Sequence, residues 1–202
     1  LNGDTIQLGG LSGLHFEGIN PDNGKVQFLS HPDRGPDDGT RDVDGDGDDE
    51  RVFLLPDLQP EIVRFELDRE TGQIQVTERI GLTKENGDPL SGLPNFELDD
   101  GGRAPANLNG DILDFDPLGA DLEGIVKAPD GSFWMVDEYR PSIYHFDANG
   151  TLIDRFVPAG TADVAGEDVG TFGSETLPEV YGTRRANRGF EAVALDTDNN
   201  IL

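Results

Sequence analysis

Three short segments of this chain each place a glutamate at the start of an apolar run. They read Phe16-Glu17-Gly18-Ile19, Leu122-Glu123-Gly124-Ile125 and Phe190-Glu191-Ala192-Val193. A carboxylate among apolar neighbours is costly to desolvate, so one such case carries little meaning. Three on one template predict carboxylates that converge on one point. Converging carboxylates repel one another unless a cation or a shared proton offsets the repulsion. The chemistry this implies is metal binding, with Glu17, Glu123 and Glu191 as ligands, in a fold assembled from repeated sheets.

Strand signals dominate the elements that must position these residues. Strands are expected at 13–19, 25–30, 51–55, 60–67, 73–80, 122–127, 132–136, 142–147, 151–157 and 190–195. Asp22-Asn23-Gly24, Glu70-Thr71-Gly72, Pro129-Asp130-Gly131 and Ala148-Asn149-Gly150 each sit between two strands and read as hairpin turns. Residues 121–157 thus give four short strands joined by tight turns, as one propeller blade requires. The helical signal is weak and confined to 174–186, with Ser174 as a cap. Residues 32–50, acidic and Gly-rich, and 84–119, rich in Gly, Pro, Asn and Asp, read as long loops within a single domain over 1–202.

The repeats extend beyond the glutamate. Glu17 is followed by Pro21-Asp22-Asn23-Gly24, a strand, and Asp33-Arg34-Gly35-Pro36. Glu123 is followed by Pro129-Asp130-Gly131, a strand, and Asp137-Glu138-Tyr139-Arg140-Pro141. The predicted fold is an all-β propeller of four-stranded antiparallel blades. Its innermost strands line a channel, so equivalent positions face one axis. A blade takes roughly 40–50 residues, and the third repeat runs to the end of the chain. The ring is therefore expected to be incomplete here, with the remaining blades supplied by a further segment.

Composition narrows the partners. The formal charge is −26, from 41 acidic and 15 basic residues. Nucleic acid and anionic membrane surfaces are both bound through Lys and Arg, which argues against either. No apolar run approaches the roughly 20 residues of a membrane span, no signal peptide is visible within the sequence, and the opening at Leu1 rather than Met is expected to be a processed terminus or a fragment boundary. The absence of Cys rules out disulfides and thiolate zinc sites. With 35% of residues apolar and grouped in strand-length runs, the charge does not mean disorder. It fits either divalent-cation binding or a solvating surface for salty or extracellular surroundings.

Leu122-Glu123-Gly124-Ile125, Pro129-Asp130-Gly131-Ser132-Phe133-Trp134 and Asp137-Glu138-Tyr139 together resemble the phytase-like family, described as having the esterase-like activity of phytase. Asn187-Arg188-Gly189-Phe190-Glu191, Ser91-Gly92-Leu93-Pro94-Asn95 and Asp33-Arg34-Gly35-Pro36 match the same pattern, and the resemblance covers roughly 11–202. It implies a bacterial, exported β-propeller in which acidic residues hold a metal for phosphoester hydrolysis of a small phosphorylated substrate. Carried over by position, those acids are Glu17, Asp33, Glu123, Asp137, Glu138 and Glu191, with Asp137 also a metal ligand and Arg34 and Arg188 binding phosphate. Two departures stand out: Arg140 where the family has Gly, and Ala192 in place of the Gly after the third Glu.

An all-oxygen donor set suits calcium, which takes six to eight oxygen ligands. Zinc or copper would have only His15, His31 and His145. Asp42, Asp44 and Asp46 in Asp42-Val43-Asp44-Gly45-Asp46-Gly47 resemble the start of a second calcium loop, although its twelfth position is Phe53 rather than Glu. The expected function is a calcium-dependent phosphoesterase, secreted or periplasmic. Two readings compete with it: a propeller lactonase or esterase with a Glu-ringed metal, and a non-catalytic, calcium-stabilised binding module.

Overall fold

Four tight turns set the architecture. In each, an Asn or Asp side chain accepts a backbone N–H two residues on, as Asn20 does from Asp22 (3.0 Å), Asp68 from Glu70 (2.9 Å), Asp130 from Ser132 (3.0 Å) and Asp147 from Asn149 (2.8 Å). The glycine that follows takes a positive φ and turns the chain back. In a computed structural model that describes residues 7–96, 103–166, 172–185, 187–198 and 201–202, all four corners join antiparallel neighbours.

The elements run β1 (Leu11–Ile19), β2 (Val26–Pro32), β3 (Asp37–Arg41), β4 (Glu50–Phe53), β5 (Glu61–Leu67), β6 (Ile74–Gly81), β7 (Pro105–Asn107), β8 (Leu122–Lys127), β9 (Phe133–Asp137), β10 (Ser142–Phe146), β11 (Leu152–Pro158), α1 (Thr161–Ala165) and β12 (Ser174–Leu177), then a 3-10 turn at Glu179–Thr183. The protein is all-β with two antiparallel meanders. One has the order β1-β2-β5-β6; the other runs β8 to β11 in sequence order, and β12 adds to its outer edge in parallel. A three-stranded sheet, β3-β4-β7, stands beside them.

The meanders share one core. Leu29 and Ile62 from the first meet Leu122, Ile125, Phe133, Met135, Tyr144 and Phe146 from the second, and Leu82, Leu90 and Ala120 close the gap. Burial of such side chains stabilises by about 1.5–3 kcal/mol each. The inner strands β1 and β8 lie side by side. Gly124 on β8 lies so close to the next segment that an added Cβ would sit 2.9 Å from the Val193 nitrogen and 3.1 Å from the Ala192 Cα. The three repeats are therefore neighbours in space.

Several expectations change. Residues 174–186 do not form the expected helix: β12 and the 3-10 turn replace it, and the Ser174 hydroxyl donates to Asp154 (2.9 Å) instead of capping; residue 186 lies outside the described residues. Pro178, inside this span, lacks the N–H a helix needs and biases Leu177 toward extended backbone, so the chain pairs with β11 before it and turns after it. No ladder forms at 190–195; that segment docks by single backbone hydrogen bonds. The loop at 32–50 contains β3 and the first residue of β4, and the stretch 84–119 contains β7. Within the latter, residues 97–102 lie outside the described residues.

Candidate functional site

The site forms where the second strand of each meander ends. Asp33 follows β2, and its N–H donates to the Gly10 carbonyl (3.1 Å). Glu138 follows β9, and its N–H donates to the Asp121 carbonyl (2.9 Å). These hydrogen bonds make Asp33 and Glu138 counterparts. The third repeat docks on the same turn. The N–H groups of Gly189 and Phe190 donate to the carbonyls of Glu138 (2.7 Å) and Asp137 (2.9 Å). A Cβ on Gly189 would overlap the Asp137 carbonyl oxygen and lie 2.8 Å from that of Glu138, so only glycine permits this approach.

The bulges decide which residues align. β1 carries a bulge between Leu11 and Gly13, and β8 carries one between Leu122 and Gly124. Matched by strand pairing, Leu11-Ser12-Gly13-Leu14 is the counterpart of Leu122-Glu123-Gly124-Ile125. Ser12, not Glu17, stands opposite Glu123, and its hydroxyl hydrogen-bonds the Glu123 carboxylate. Glu17 lies five residues farther along, where Arg64 Nε (2.7 Å) and Lys127 Nζ (2.7 Å) take its carboxylate. Although burial opposes them, these two cations hold the Glu17 pKa below the usual carboxylate value. The three repeat glutamates thus do not converge as expected: Glu123 gathers with Asp121 and Glu138, Glu191 is near enough for its charge to act on Glu123, and Glu17 is held by Arg64 and Lys127.

Asp121, Glu123 and Glu138 form the centre, with carboxylate oxygens all within 4.8 Å of one another. Burial pushes Asp121 up to about 8; the Arg34 charge opposes this rise, and Asp137, Asp33 and Glu123 add to it. Burial pushes Glu123 up to about 7, and the charges of Glu138, Glu191 and Asp33 contribute. Glu138 is raised for the same reasons, with Arg34 and Arg188 opposing. Mutual repulsion of this kind marks functional sites more often than structural ones.

The supporting residues fix these acids in place. Arg34 donates to Asp121 through Nη1 and through its backbone N–H (3.2 Å), and it also reaches Asn187 Oδ1 (3.2 Å) and Asp37 (3.4 Å). Asn187 holds Glu138 through Nδ2 (2.9 Å). Arg188, with 66% of its side chain exposed, lies 3.6 Å from Glu138. Asp137 is fully buried and accepts from Asn95 Nδ2 (2.8 Å), the Asp121 N–H (2.9 Å), the Tyr139 N–H (3.1 Å) and Ser142 Oγ (3.0 Å). Those donors, two on each oxygen, fill its acceptor sites, so it braces the strand end behind the cluster. Asp121 and Asn187 escaped the sequence reading of the site. The position of Asp121, directly before Leu122-Glu123, was the available signal.

The acidic loop behaves differently. Asp42, Asp44 and Asp46 are exposed, with oxygens within 4.8 Å of one another. Asp42 accepts the N–H groups of Gly45 (2.6 Å) and Gly47 (3.1 Å), while Glu50, buried, accepts that of Val43 (2.9 Å). His31 is buried beside Gly13, and burial lowers it to about 4. His145 stacks on Trp134 with ring centroids 3.9 Å apart. Neither belongs to a cluster of metal-ligating groups among the described residues.

Comparison with known proteins follows this geometry. An uncharacterized secreted protein of Arthroderma benhamiae (strain ATCC MYA-4681 / CBS 112371) is 29% identical over 156 residues, 64% of this chain and 30% of the relative. The chain thus spans about 30% of that relative's length. Among the described residues, no helix is long and apolar enough to cross a membrane. The family model for phytase-like proteins, described as having the esterase-like activity of phytase, matches residues 6–202, and the chain belongs to that family.

Proposed function

We propose that the two meanders are propeller blades and that Asp121, Glu123 and Glu138 form the calcium site of a secreted phosphoester hydrolase. The observation that carries this reading is the trio of carboxylates within 4.8 Å, with the exposed guanidinium of Arg188 at its rim. The donor set fits a hard cation: every donor is a carboxylate oxygen, Asp33 and Glu191 stand close enough for their charges to be felt, and the repulsion among them calls for positive charge. A bound cation would supply charge to orient a phosphoryl oxygen and acidify a water.

The chain's own residues do the rest. Arg188 takes a phosphoryl oxygen, because its guanidinium is largely solvent-facing. Arg34 is engaged by Asp121, Asp37 and Asn187, and so it positions the trio. Without a cation Glu123 keeps its proton up to about pH 7, so a cation bound there would displace that proton. The loop at Asp42, Asp44 and Asp46 takes a second calcium ion in a structural role. Secretion is supported by the description of the relative as secreted.

The test is hydrolysis of p-nitrophenyl phosphate, its bis ester and a lactone, with calcium and with chelator. Chelator-sensitive turnover of a phosphoester, lost in Glu123→Gln, is expected. Turnover of the lactone alone would replace the phosphoester reading with a carboxylic-ester one. No turnover of any of the three would leave the non-catalytic binding module.

A further inference from the structure

We propose that the cavity beside Asp33 receives the alcohol part of the substrate and selects an apolar or uncharged alcohol over a polyanionic one. This rests on the phosphoester reading above and names the substrate class within it. The cavity holds about 560 Å³, and its walls include Pro36, Leu55 and Leu58. That volume lies in the range of small-molecule sites. Asp33 joins it to the acid cluster: the residue lines the cavity, and the next residue, Arg34, donates its backbone N–H (3.2 Å) and its Nη1 to Asp121. An ester whose phosphoryl group lies at the cluster can therefore extend its alcohol into this space.

The walls set the preference. Leu58 is wedged over Gly35, where an added Cβ would lie 2.5 Å from Leu58 Cδ2, so the apolar wall is held in position. The ionic residues on the wall are Asp33, Asp37, Glu61 and Arg79. Arg79 is bound by Glu61 through both its Nε (2.7 Å) and Nη2, which leaves it little charge to offer a ligand. Asp37 is held ionised by Arg51 (3.0 Å) and Arg34 (3.4 Å). Each cation at this wall is thus already paired with a carboxylate, and Asp33 adds a negative charge that repels further phosphates, while the leucines favour apolar surface; repulsion and attraction act in the same direction. A myo-inositol carrying many phosphates meets repulsion here, whereas an aryl or alkyl ester of one phosphate does not.

The experiment compares kcat/KM for 2-phenylethyl phosphate, glycerol 1-phosphate and inositol hexakisphosphate, with calorimetric titration of benzylphosphonate as a probe that needs no turnover. The phenylethyl ester is expected to exceed both others by about tenfold or more. Leu58→Lys is expected to shrink that ratio and to weaken benzylphosphonate binding by about tenfold, with folding checked by circular dichroism. Equal or better use of inositol hexakisphosphate by the unaltered protein would overturn the proposal, as would benzylphosphonate binding indifferent to Leu58→Lys. Benzylphosphonate binding that depends on Leu58, with no phosphoester turnover, would retain the cavity as a binding site and reject the hydrolase reading instead.

Discussion

Glu123 is the residue in which folding stability and the proposed cation site oppose each other. Burial and the neighbouring charges of Glu138 and Glu191 raise its pKa from 4.5 to about 7. The folded protein therefore keeps this proton up to about pH 7, whereas the unfolded chain releases it near 4.5. Stability falls as pH rises between those values and is level above them. Glu123→Gln removes the repulsion, so in calcium-free buffer at pH 8 the variant is expected to be more stable than the parent. The group is half-buried, and solvent screening reduces the gain to about 1 kcal/mol, or a Tm rise of about 2–4 °C. At pH 4 the two proteins should melt together. The same substitution is expected to remove the cluster's share of calcium binding by calorimetry and to leave that of the loop at Asp42, Asp44 and Asp46. A variant less stable than the parent at pH 8 would mean that Glu123 is a structural acid with satisfied partners. Glu17 supplies the contrast: Arg64 and Lys127 hold its pKa low, so its stabilising contribution is present above the unfolded value and is lost as pH falls through the folded one.

At the scale of elements, the loop spanning 84–119 is a brace. Asn95 donates to buried Asp137 (2.8 Å), and the Tyr139 hydroxyl donates to the Gly92 carbonyl (2.7 Å). Asn95→Ala removes a donor from a fully buried carboxylate, a loss of about 1–3 kcal/mol, and should reduce activity through the Asp137–Glu138 turn. Urea unfolding checks the first effect; kcat, falling while KM for p-nitrophenyl phosphate stays level, checks the second. Gly189→Ala should separate the third repeat from that turn, because the new Cβ meets two carbonyl oxygens. Overpacking of this kind destabilises by about 1–3 kcal/mol. Unchanged calcium affinity in Gly189→Ala would detach Glu191 from the site. Turn chemistry made the two meanders legible from the amino-acid sequence, since Asx and Gly residues act locally. The register of the first repeat was not legible: Glu17-Gly18-Ile19 matches Glu123-Gly124-Ile125 better than Ser12-Gly13-Leu14 does, and only the bulges at Ser12 and Glu123 reveal the true pairing. β7 and β12, four residues long or fewer, form because partners remote in sequence pair with them, and no local pattern encodes that.

The whole molecule carries 41 acidic residues against 15 basic ones, so most of its carboxylates have no cation to face. Several of the ion pairs that do form are consumed at specific points: Arg34 by Asp121 and Asp37, and Arg64 by Glu17 and Glu78. The remaining acids repel across the surface, and that repulsion opposes the compact state. Its range is set by salt, about 30 Å at 0.01 M and about 3 Å at 1 M. Sodium chloride is therefore expected to raise the Tm steadily from 0.01 M, with most of the gain complete once the Debye length falls below the spacing of neighbouring carboxylates. Calcium should act differently. At concentrations far too low to change screening it is expected to bind the acid cluster, and stabilisation should then follow the logarithm of its free concentration. The two effects separate by mutation: Glu123→Gln should remove the calcium increment contributed by the cluster and leave the sodium chloride response intact. A Tm indifferent to sodium chloride would show the surface acids to be locally compensated. A calcium response of equal size in parent and Glu123→Gln would assign all of the ion's effect to the loop at Asp42, Asp44 and Asp46, whose carboxylates are exposed and lie within 4.8 Å of one another.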